Sequence, residues 1–475
     1  MRRSRGKKSR TRSAASYFSA LRLKNFRGFK RAEGIRLAPL TFLVGPNSSG
    51  KSSIFDAFLF LAQSNADDVG DLPTPLWTGS LVDLGAFPDV VFGHRQNLRI
   101  GLGFDLTFDT RGYWRTFKTR NVVKTRIAYE IGSSTGSGDP VGRVKYMEIQ
   151  DPDTGYSIEI TPRSKRRSTV AAKLFGIRAV YDAKTKINRP TWYGLAYWLN
   201  EFINRQVLRK IRRPTSDQRK AIRVFRATLN SYPIRFFLEG TQRVASGRAA
   251  PKRWYPIAQP LAETSRFSGQ YRLFDSVDPR LLGEERSREA QFHRSPRAHK
   301  TSLGRYLSKL DIAKRIRTSK LSPYHSSINV RDNKLGIESK LIDVGYGASQ
   351  VIPVISACLS ESPGPLFIEQ PEIHLHPKAQ AVIGELICRT SKHRQVIVET
   401  HSEHLINRAR ILIARGDLDY RDVIINYVSR TSKGSTVTSI PINKDGEFES
   451  PWPEGFFDER YRDTLQLLEL TKQNP

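Results

Sequence analysis

The sequence predicts an α/β fold: a mostly parallel sheet with helices on its faces, divided by a mixed, largely helical, basic insertion. Three observations predict it. An apolar strand-like run over 35–44 leads into a Gly-rich turn and then a helix-like segment, SSIFDAFLFLAQS (52–64). In the last third, strand and helix patterns alternate: PLFIEQ (365–370), a helix over 377–390, QVIVET (395–400) and a helix over 403–414. Helical crossovers of this kind join parallel strands. Between the two regions neither pattern continues, and Arg and Lys concentrate over 111–335.

The remaining elements follow from their periodicity. Residues 19–30 alternate apolar and polar and read as a strand, and 98–109 and 143–160 hold further alternation. Residues 165–245 read mainly helical, with TWYGLAYWLNEFINRQVLRKIRR apolar at helical spacing, whereas 246–335 read as irregular. A Gly-containing turn at 344–349 precedes a helix over 351–360. No heptad run is long enough for a coiled coil, and no internal repeat is visible. The expected organisation is a basic, disordered arm (1–18), an N-terminal lobe (19–110), a basic insertion or lid (111–335) and a C-terminal lobe (336–475).

Composition narrows the function classes. With 475 residues the chain is long enough for two to four domains. Lys and Arg number 78 against 46 Asp and Glu, a net charge of +32, which calls for an anionic partner, nucleic acid first. No run approaches ~18 consecutive apolar residues, so no membrane span is expected and the chain reads as cytoplasmic. The N-terminal MRRSRGKKSRTRS lacks the apolar stretch of a signal peptide. Two cysteines, Cys358 and Cys388, exclude a disulfide framework and a four-cysteine zinc site, and read as core thiols.

The chemistry concentrates in two motifs. Gly45-Pro46-Asn47-Ser48-Ser49-Gly50-Lys51-Ser52 fits G-x-x-x-x-G-K-[ST] between a strand and a helix. Its glycines let backbone N–H groups curl around phosphate oxygens, and the helix N-terminus adds positive potential. Lys51 is expected to neutralise the β- and γ-phosphates of ATP, and the Ser52 hydroxyl to ligate Mg²⁺. Leu366-Phe367-Ile368-Glu369-Gln370-Pro371-Glu372 is an apolar strand ending in acids. Glu369 fits the carboxylate that holds Mg²⁺ at such a strand end. A second reading takes Glu372, His374, His376, His401 and His404 as a metal-hydrolase cluster.

GPNSSGKSS (45–53), LIDVGYGASQ (341–350), LFIEQPEIHLHP (366–377) and VIVETHSEHL (396–405), in that order, resemble the ABC-type, AAA-annotated ATPase heads of the SMC and OLD-like class. The similarity extends to bacterial ATPases with a C-terminal tail of unassigned function, in which a phrase like Trp452-Pro453-Glu454-Gly455-Phe456-Phe457-Asp458 closes the chain. It covers 19–95 and 336–460, and no acid-rich nuclease domain is expected in the ~70 residues after His404.

The resemblance implies roles residue by residue. Gly45, Asn47, Ser48, Ser49, Gly50, Lys51, Ser52 and Ser53 would bind the nucleotide. Gly347, Ser349 and Gln350 stand in the place of the signature motif, which in this class meets the γ-phosphate held by the other subunit, with Ser349 as hydroxyl donor. His401 matches the switch histidine. The family pattern ends its strand in Asp-Glu-Pro; here it is Glu369-Gln370-Pro371. An amide has no useful basicity, so Gln370 can orient water but not deprotonate it, and Glu372 is the substitute base. Gln96, with His94 and Asp89 as alternatives, is the candidate Mg²⁺-sensing residue; Arg27 and Phe29 would lie near the nucleotide base.

The function expected is a slowly hydrolysing ATPase that forms a homodimer, or a higher homo-oligomer, around ATP and acts as a nucleic-acid-associated switch. The resemblance extends this to phage defence or DNA maintenance. The alternative is an ATP-gated scaffold holding a separate effector protein, with little hydrolysis and no nucleic-acid contact. For DNA or RNA, bound without sequence specificity, the expected surface is the insertion. Its basic groups (Arg163, Lys165, Arg166, Arg167; Arg209 to Arg213; Arg219 to Arg226; Arg315, Arg317) are interleaved with Trp192, Tyr193, Trp198, Trp254 and Tyr255.

Overall fold

The computed structural model describes residues 16–66, 75–79, 81–109, 122–134, 141–153, 155–164, 167–174, 177–184, 215–216, 237–238, 240–248, 250–256, 296–322, 325–360, 362–453 and 466. Its centre is a six-stranded sheet in the order β10 (Gln242–Val244), β15 (Leu366–Glu369), β16 (Val396–Glu399), β3 (Leu40–Val44), β17 (Val423–Thr431), β18 (Gly434–Pro441). The first five strands run parallel, and β18 closes the edge as a hairpin with β17. β3, β15 and β16 are buried at every position, which is how strands covered on both faces read in sequence.

Each face carries its own core. On one, α1 (Lys51–Ala66) lies between the central sheet and an antiparallel sheet of eight strands. These are β1 (Ser16–Phe26), β2 (Phe29–Arg36), β4 (Ile100–Asp109), β5 (Val122–Ser134), β6 (Val141–Asp151), β7 (Tyr156–Ser164), β8 (Arg167–Leu174) and β9 (Ile177–Lys184), in the order β2-β1-β4-β5-β6-β7-β8-β9. Phe55 and Phe58 of α1 pack on Phe367 of β15 with ring centroids 5.2 and 5.6 Å apart, and Phe18 of β1 packs on Phe58 at 4.7 Å. The other face holds α3 (Pro296–Lys309), α4 (Tyr346–Leu359), α5 (Pro377–Thr390) and α6 (Glu403–Ala414). A small antiparallel sheet, β11 (Tyr255–Pro256), β13 (His325–Arg331), β12 (Arg315–Ser322) and β14 (Glu338–Lys340), contributes Ile316, Ile328 and Val330 to that core. A one-turn helix, α2 (Phe87–Val90), seats Phe87 and Val90 against the α1 side.

Several elements differ from the sequence expectation. The two N-terminal strands read over 19–30 and 35–44 are three. β1 and β2 form a hairpin turning at Arg27-Gly28, with Phe26 opposite Phe29, and the chain breaks before β3 at Pro39. Part of the stretch read as helical, 167–184, forms β8 and β9; Thr169, Val170 and Val180 are β-branched, and pairing with β7 supplies what local periodicity lacks. Part of the stretch read as irregular contains α3 and the β12–β13 hairpin. Phe18, placed in the basic arm by sequence, is 1% exposed in the core, while 1–15 lie outside the described residues. So do Arg209 to Arg213, Arg219 to Arg226, Trp192, Tyr193, Trp198 and 454–458.

The inserted region also returns to the head. β10 pairs with β15, and Phe237 and Leu238 join the α1-side core. The edge is tied by Arg394, buried before β16. Its Nε donates to Gly364 O at 2.9 Å, Nη1 to Gln242 Oε1 at 2.7 Å and Nη2 to Gly240 O at 3.4 Å. Gln395, also buried, bridges β1 to the head by bonding both the N–H and the C=O of Phe18.

Arg394→Leu removes its hydrogen bonds to Gly364 O and Gln242 Oε1, while Gly240 O keeps the Ser362 hydroxyl, and is expected to lower unfolding free energy by ~2–4 kcal/mol in urea titrations. A loss below ~0.5 kcal/mol would mean that the β10 edge is held by other means.

Candidate functional site

The site begins where β3 ends. Gly45 has φ 138°, and a Cβ there would stand 2.1 Å from Val428 O; Gly50 has φ 111°, with a Cβ position 2.8 Å from Ser435 Oγ. Ser48 is left-handed, with φ 58°. Alternating handedness turns successive N–H groups inward, making an anion nest at the N-terminus of α1. Lys51, the first residue of α1, is 3% exposed, and its Nζ donates to Gly45 O at 3.0 Å and Pro46 O at 2.8 Å. Burial lowers its pKa, opposed by the charge of Glu399. Asn47, Ser48 and Ser52 are exposed at the loop surface, and Ser53 N–H donates to Gly50 O at 3.1 Å. The buried Ser49 hydroxyl has no hydrogen-bond partner among the described residues.

Carboxylates gather on the α1 side of the strand ends. Ser52 Oγ donates to Glu399 Oε2 at 3.1 Å. Burial raises the Glu399 pKa, with Lys51 and the Ser52 hydrogen bond pulling it down. Asp56, one turn into α1, is ion-paired to Arg27, yet desolvation raises its pKa to about 6. Glu369 ends β15, the strand end read from the sequence, and its carboxylate is paired. Its Oε1 accepts from Arg243 Nε at 2.8 Å, with Arg243 Nη2 at 2.7 Å, and its Oε2 accepts from Ser246 N–H at 3.1 Å and Ser246 Oγ at 3.2 Å. The carboxylate hydrogen-bonded to the P-loop serine is therefore Glu399.

The turn after β15 is held by charge. Gln370 has φ 41°, its N–H donates to Glu399 O at 2.7 Å, and Arg248 Nη2 donates to Glu369 O at 2.7 Å and Gln370 O at 3.2 Å. Arg248 is buried, which lowers its pKa to about 10. Glu372, expected as a substitute base, accepts the His401 N–H at Oε1, 2.7 Å, and burial raises its pKa. It braces the loop carrying His401, whose imidazole pKa burial lowers. His376 caps α5, accepting from Lys378 N–H at 3.3 Å, and His374 stands edge-on to Tyr346 at 5.1 Å. Among the described residues no group of three or more His, Cys, Asp or Glu is placed to hold a metal ion.

The segment in the signature position starts α4. Gly345 and Tyr346 are exposed, and a Cβ on Gly347 would stand 2.6 Å from His374 O, so only glycine lets the two loops meet. Ser349 and Gln350 are buried, and Ser349 Oγ donates to Tyr346 O at 2.7 Å. The hydroxyl singled out as a phosphate donor thus faces its own helix turn. Gln96 and His94 are exposed, His94 Nδ1 lying 2.9 Å from Pro88 O, and Asp89 accepts from Ala86 N–H. Phe29 is wholly buried and packs the core.

Sequence reasoning missed Glu399, Asp56, Arg243 and Arg248 as site residues. The strand-end rule that selected Glu369 applies equally to Glu399, which ends the adjacent strand in register with it. Nothing local marks Arg243 or Arg248. The residues present fit a magnesium nucleotide: a backbone nest, a buried ammonium, the unpartnered Ser49 hydroxyl, and a Ser52 hydroxyl beside a carboxylate, the oxygen donors Mg²⁺ takes.

Residues 418–467 match the family "Protein of unknown function (DUF3696)". The chain is 29% identical over 168 residues to the OLD nuclease of Thermus scotoductus, across 32% of this chain and 31% of that protein; it thus spans about a third of that relative's length. Among solved structures, the Smc head bound to the C-winged helix domain of ScpA has a TM-score of 0.44 at 15% identity, covering 90% of this chain and 98% of that one. The SMC head domain from Thermotoga maritima has a TM-score of 0.37 at 14% identity, covering 90% and 99%. With a match over residues 40–407, the chain belongs to the family described as "AAA domain, putative AbiEii toxin, Type IV TA system".

Proposed function

We propose that this chain binds ATP with Mg²⁺, hydrolyses it slowly, and uses the nucleotide to close two copies into a nucleic-acid-associated switch. The observation that carries the reading is the nest of Gly45, Ser48 and Gly50 around a buried Lys51, with Ser52 beside a carboxylate. The chemistry that bound ATP and Mg²⁺ supply is phosphoryl transfer to water. Lys51 would exchange its loop carbonyls for phosphate oxygens, and Ser52 with a strand-end carboxylate would hold the ion. Gln370, fixed by Arg248 and the Glu399 carbonyl, orients water without accepting its proton, which favours slow turnover.

Dimerisation is supported by the exposed Gly345 and Tyr346 at the start of α4, where backbone N–H groups, rather than Ser349, are available to a second copy's nucleotide. Nucleic-acid association is supported by the net charge of +32 and by β12, whose Arg315 and Arg317 are exposed with the exposed Arg331 paired to Arg315. Trp254, 52% exposed against His325, adds a stacking surface near this sheet. Among the described residues no helix is long and apolar enough to cross a membrane. A role in phage defence or DNA maintenance is proposed on family resemblance alone. The scaffold alternative, with an effector protein in trans, is favoured by Gln370 if turnover is absent.

Lys51→Ala is expected to weaken ATP binding ~10–100-fold by calorimetry, the worth of a charge-assisted contact; unchanged binding would sink the P-loop reading. Gln370→Glu should raise turnover ~10²–10⁴-fold, the range of general-base catalysis, in a steady-state phosphate-release assay. No increase would leave Gln370 without a role in water activation. The double variant Arg315→Glu/Arg317→Glu should weaken DNA binding and flatten the slope of log affinity against log salt by ~2. An unaltered slope would remove β12 from the nucleic-acid surface.

A further inference from the structure

We propose that Glu399, rather than Glu369, is the carboxylate that holds the Mg²⁺ of the nucleotide site, and that Glu369 is the anchor by which Arg243 and Ser246 fasten the inserted segment to the head. The inference rests on the ATP reading above and concerns the division of labour within that site.

The two glutamates start as equivalents. They end adjacent parallel strands, are register partners, and so point to the same face. Phe367, two residues before Glu369, packs on α1, so that face is the one beneath the P-loop helix. What separates the glutamates is their partners. Glu369 has both oxygens saturated by Arg243 and by the N–H and hydroxyl of Ser246. Arg243 is placed by strand pairing: it lies opposite Phe367, one pleat from Glu369 on the same face, and its Nη1 is spent on Leu81 O at 3.1 Å. For Glu369 to take a divalent cation, the ion would displace a guanidinium that is three-quarters buried and leave two cations side by side.

Glu399 carries no such load. Its side chain has one hydrogen bond among the described residues, from Ser52, the residue whose hydroxyl a P-loop offers to the metal. The Ser52 hydroxyl only has to turn a lone pair toward the ion for the pair to become two ligands of one cation. Magnesium takes one or two carboxylates and fills its remaining positions with water and phosphate oxygens, so Glu399 suffices. The Glu369 clamp then has a different use. Through Arg243 and Ser246 it joins the strand end to β10 and the segment 245–248, which reaches Gln370 through Arg248. Movement of the insertion is thereby transmitted to the Gln370 turn without loss of the ion.

The test uses the full chain, a fluorescent ATP analogue bound in EDTA, and Mn²⁺ as the probe, with free ion read by electron paramagnetic resonance. Glu399→Gln is expected to lower Mn²⁺ affinity of the nucleotide complex by at least the ~10–100-fold seen for supporting ligands, with analogue binding in EDTA retained. Glu369→Gln should keep near-native Mn²⁺ affinity and speed amide hydrogen exchange over 242–248. Should Glu399→Gln not fold, Glu399→Asp withdraws the carboxylate by one methylene and is expected to show the same selective Mn²⁺ loss. The proposal is overturned if Glu369→Gln takes the Mn²⁺ loss while Glu399→Gln keeps the ion. A wild-type chain that binds no analogue overturns the ATP reading itself, and this assignment with it.

Discussion

Charge buried at the carboxyl ends of β15 and β16 is the constraint on which this structure depends. Glu369, Glu399 and Asp56 stand on one face with Lys51, Arg27 and Arg243. An uncompensated carboxylate there would cost more than any local packing returns. Each therefore has an assigned cation or donor: Arg27 for Asp56, Arg243 and Ser246 for Glu369, Ser52 and the field of Lys51 for Glu399. At Asp56 desolvation outweighs the Arg27 ion pair, and its pKa is raised.

Satisfying that cluster recruits distant sequence. Arg243 and Arg248 lie more than a hundred residues before Glu369, inside the basic region read from sequence as a nucleic-acid surface. They reach the site because β10 adds one more parallel strand to the head sheet. Arg394 and Gln242 lock that strand from behind. The insertion thus reaches the end of β15 and the Gln370 turn through Arg243, Ser246 and Arg248.

Backbone conformation does comparable work. Gly45 and Gly347 stand where a Cβ would strike a carbonyl oxygen, of Val428 and His374 respectively. The first lets the P-loop tuck under β17; the second lets the start of α4 meet the loop after β15. Gln370 and His374 hold positive φ without being glycine, and such strain persists where surrounding contacts over-determine it. For Gln370 those contacts are the Arg248 guanidinium and the Glu399 carbonyl. Glu372 applies the same principle to the His401 loop, its Oε1 accepting a backbone N–H.

Much of this was determined by sequence alone. The Gly-rich turn and helix after Val44, the helices over 377–390 and 403–414, and the apolar strands at 366–369 and 396–399 are set by local periodicity and by glycine positions and fold within a few residues of where they read, while the strand read over 35–44 starts only at Leu40. The phosphate loop and the loss of a base at Gln370 are likewise properties of residue identity. Tertiary structure decided the rest. Strands β8 and β9 exist because β7 offers them a ladder, and the hairpin of β17 and β18 because β3 offers an edge. It also decided the roles of look-alike residues. Glu369 and Glu399 are chemically identical strand-end acids, and Ser349 is a hydroxyl in the expected motif. Which of them is free to meet a ligand depends on what packs against it: Arg243 and Ser246 for Glu369, Ser52 for Glu399, the Tyr346 carbonyl for Ser349. Pairing between residues a hundred positions apart leaves no periodic trace in a chain, so only the folded molecule could assign them.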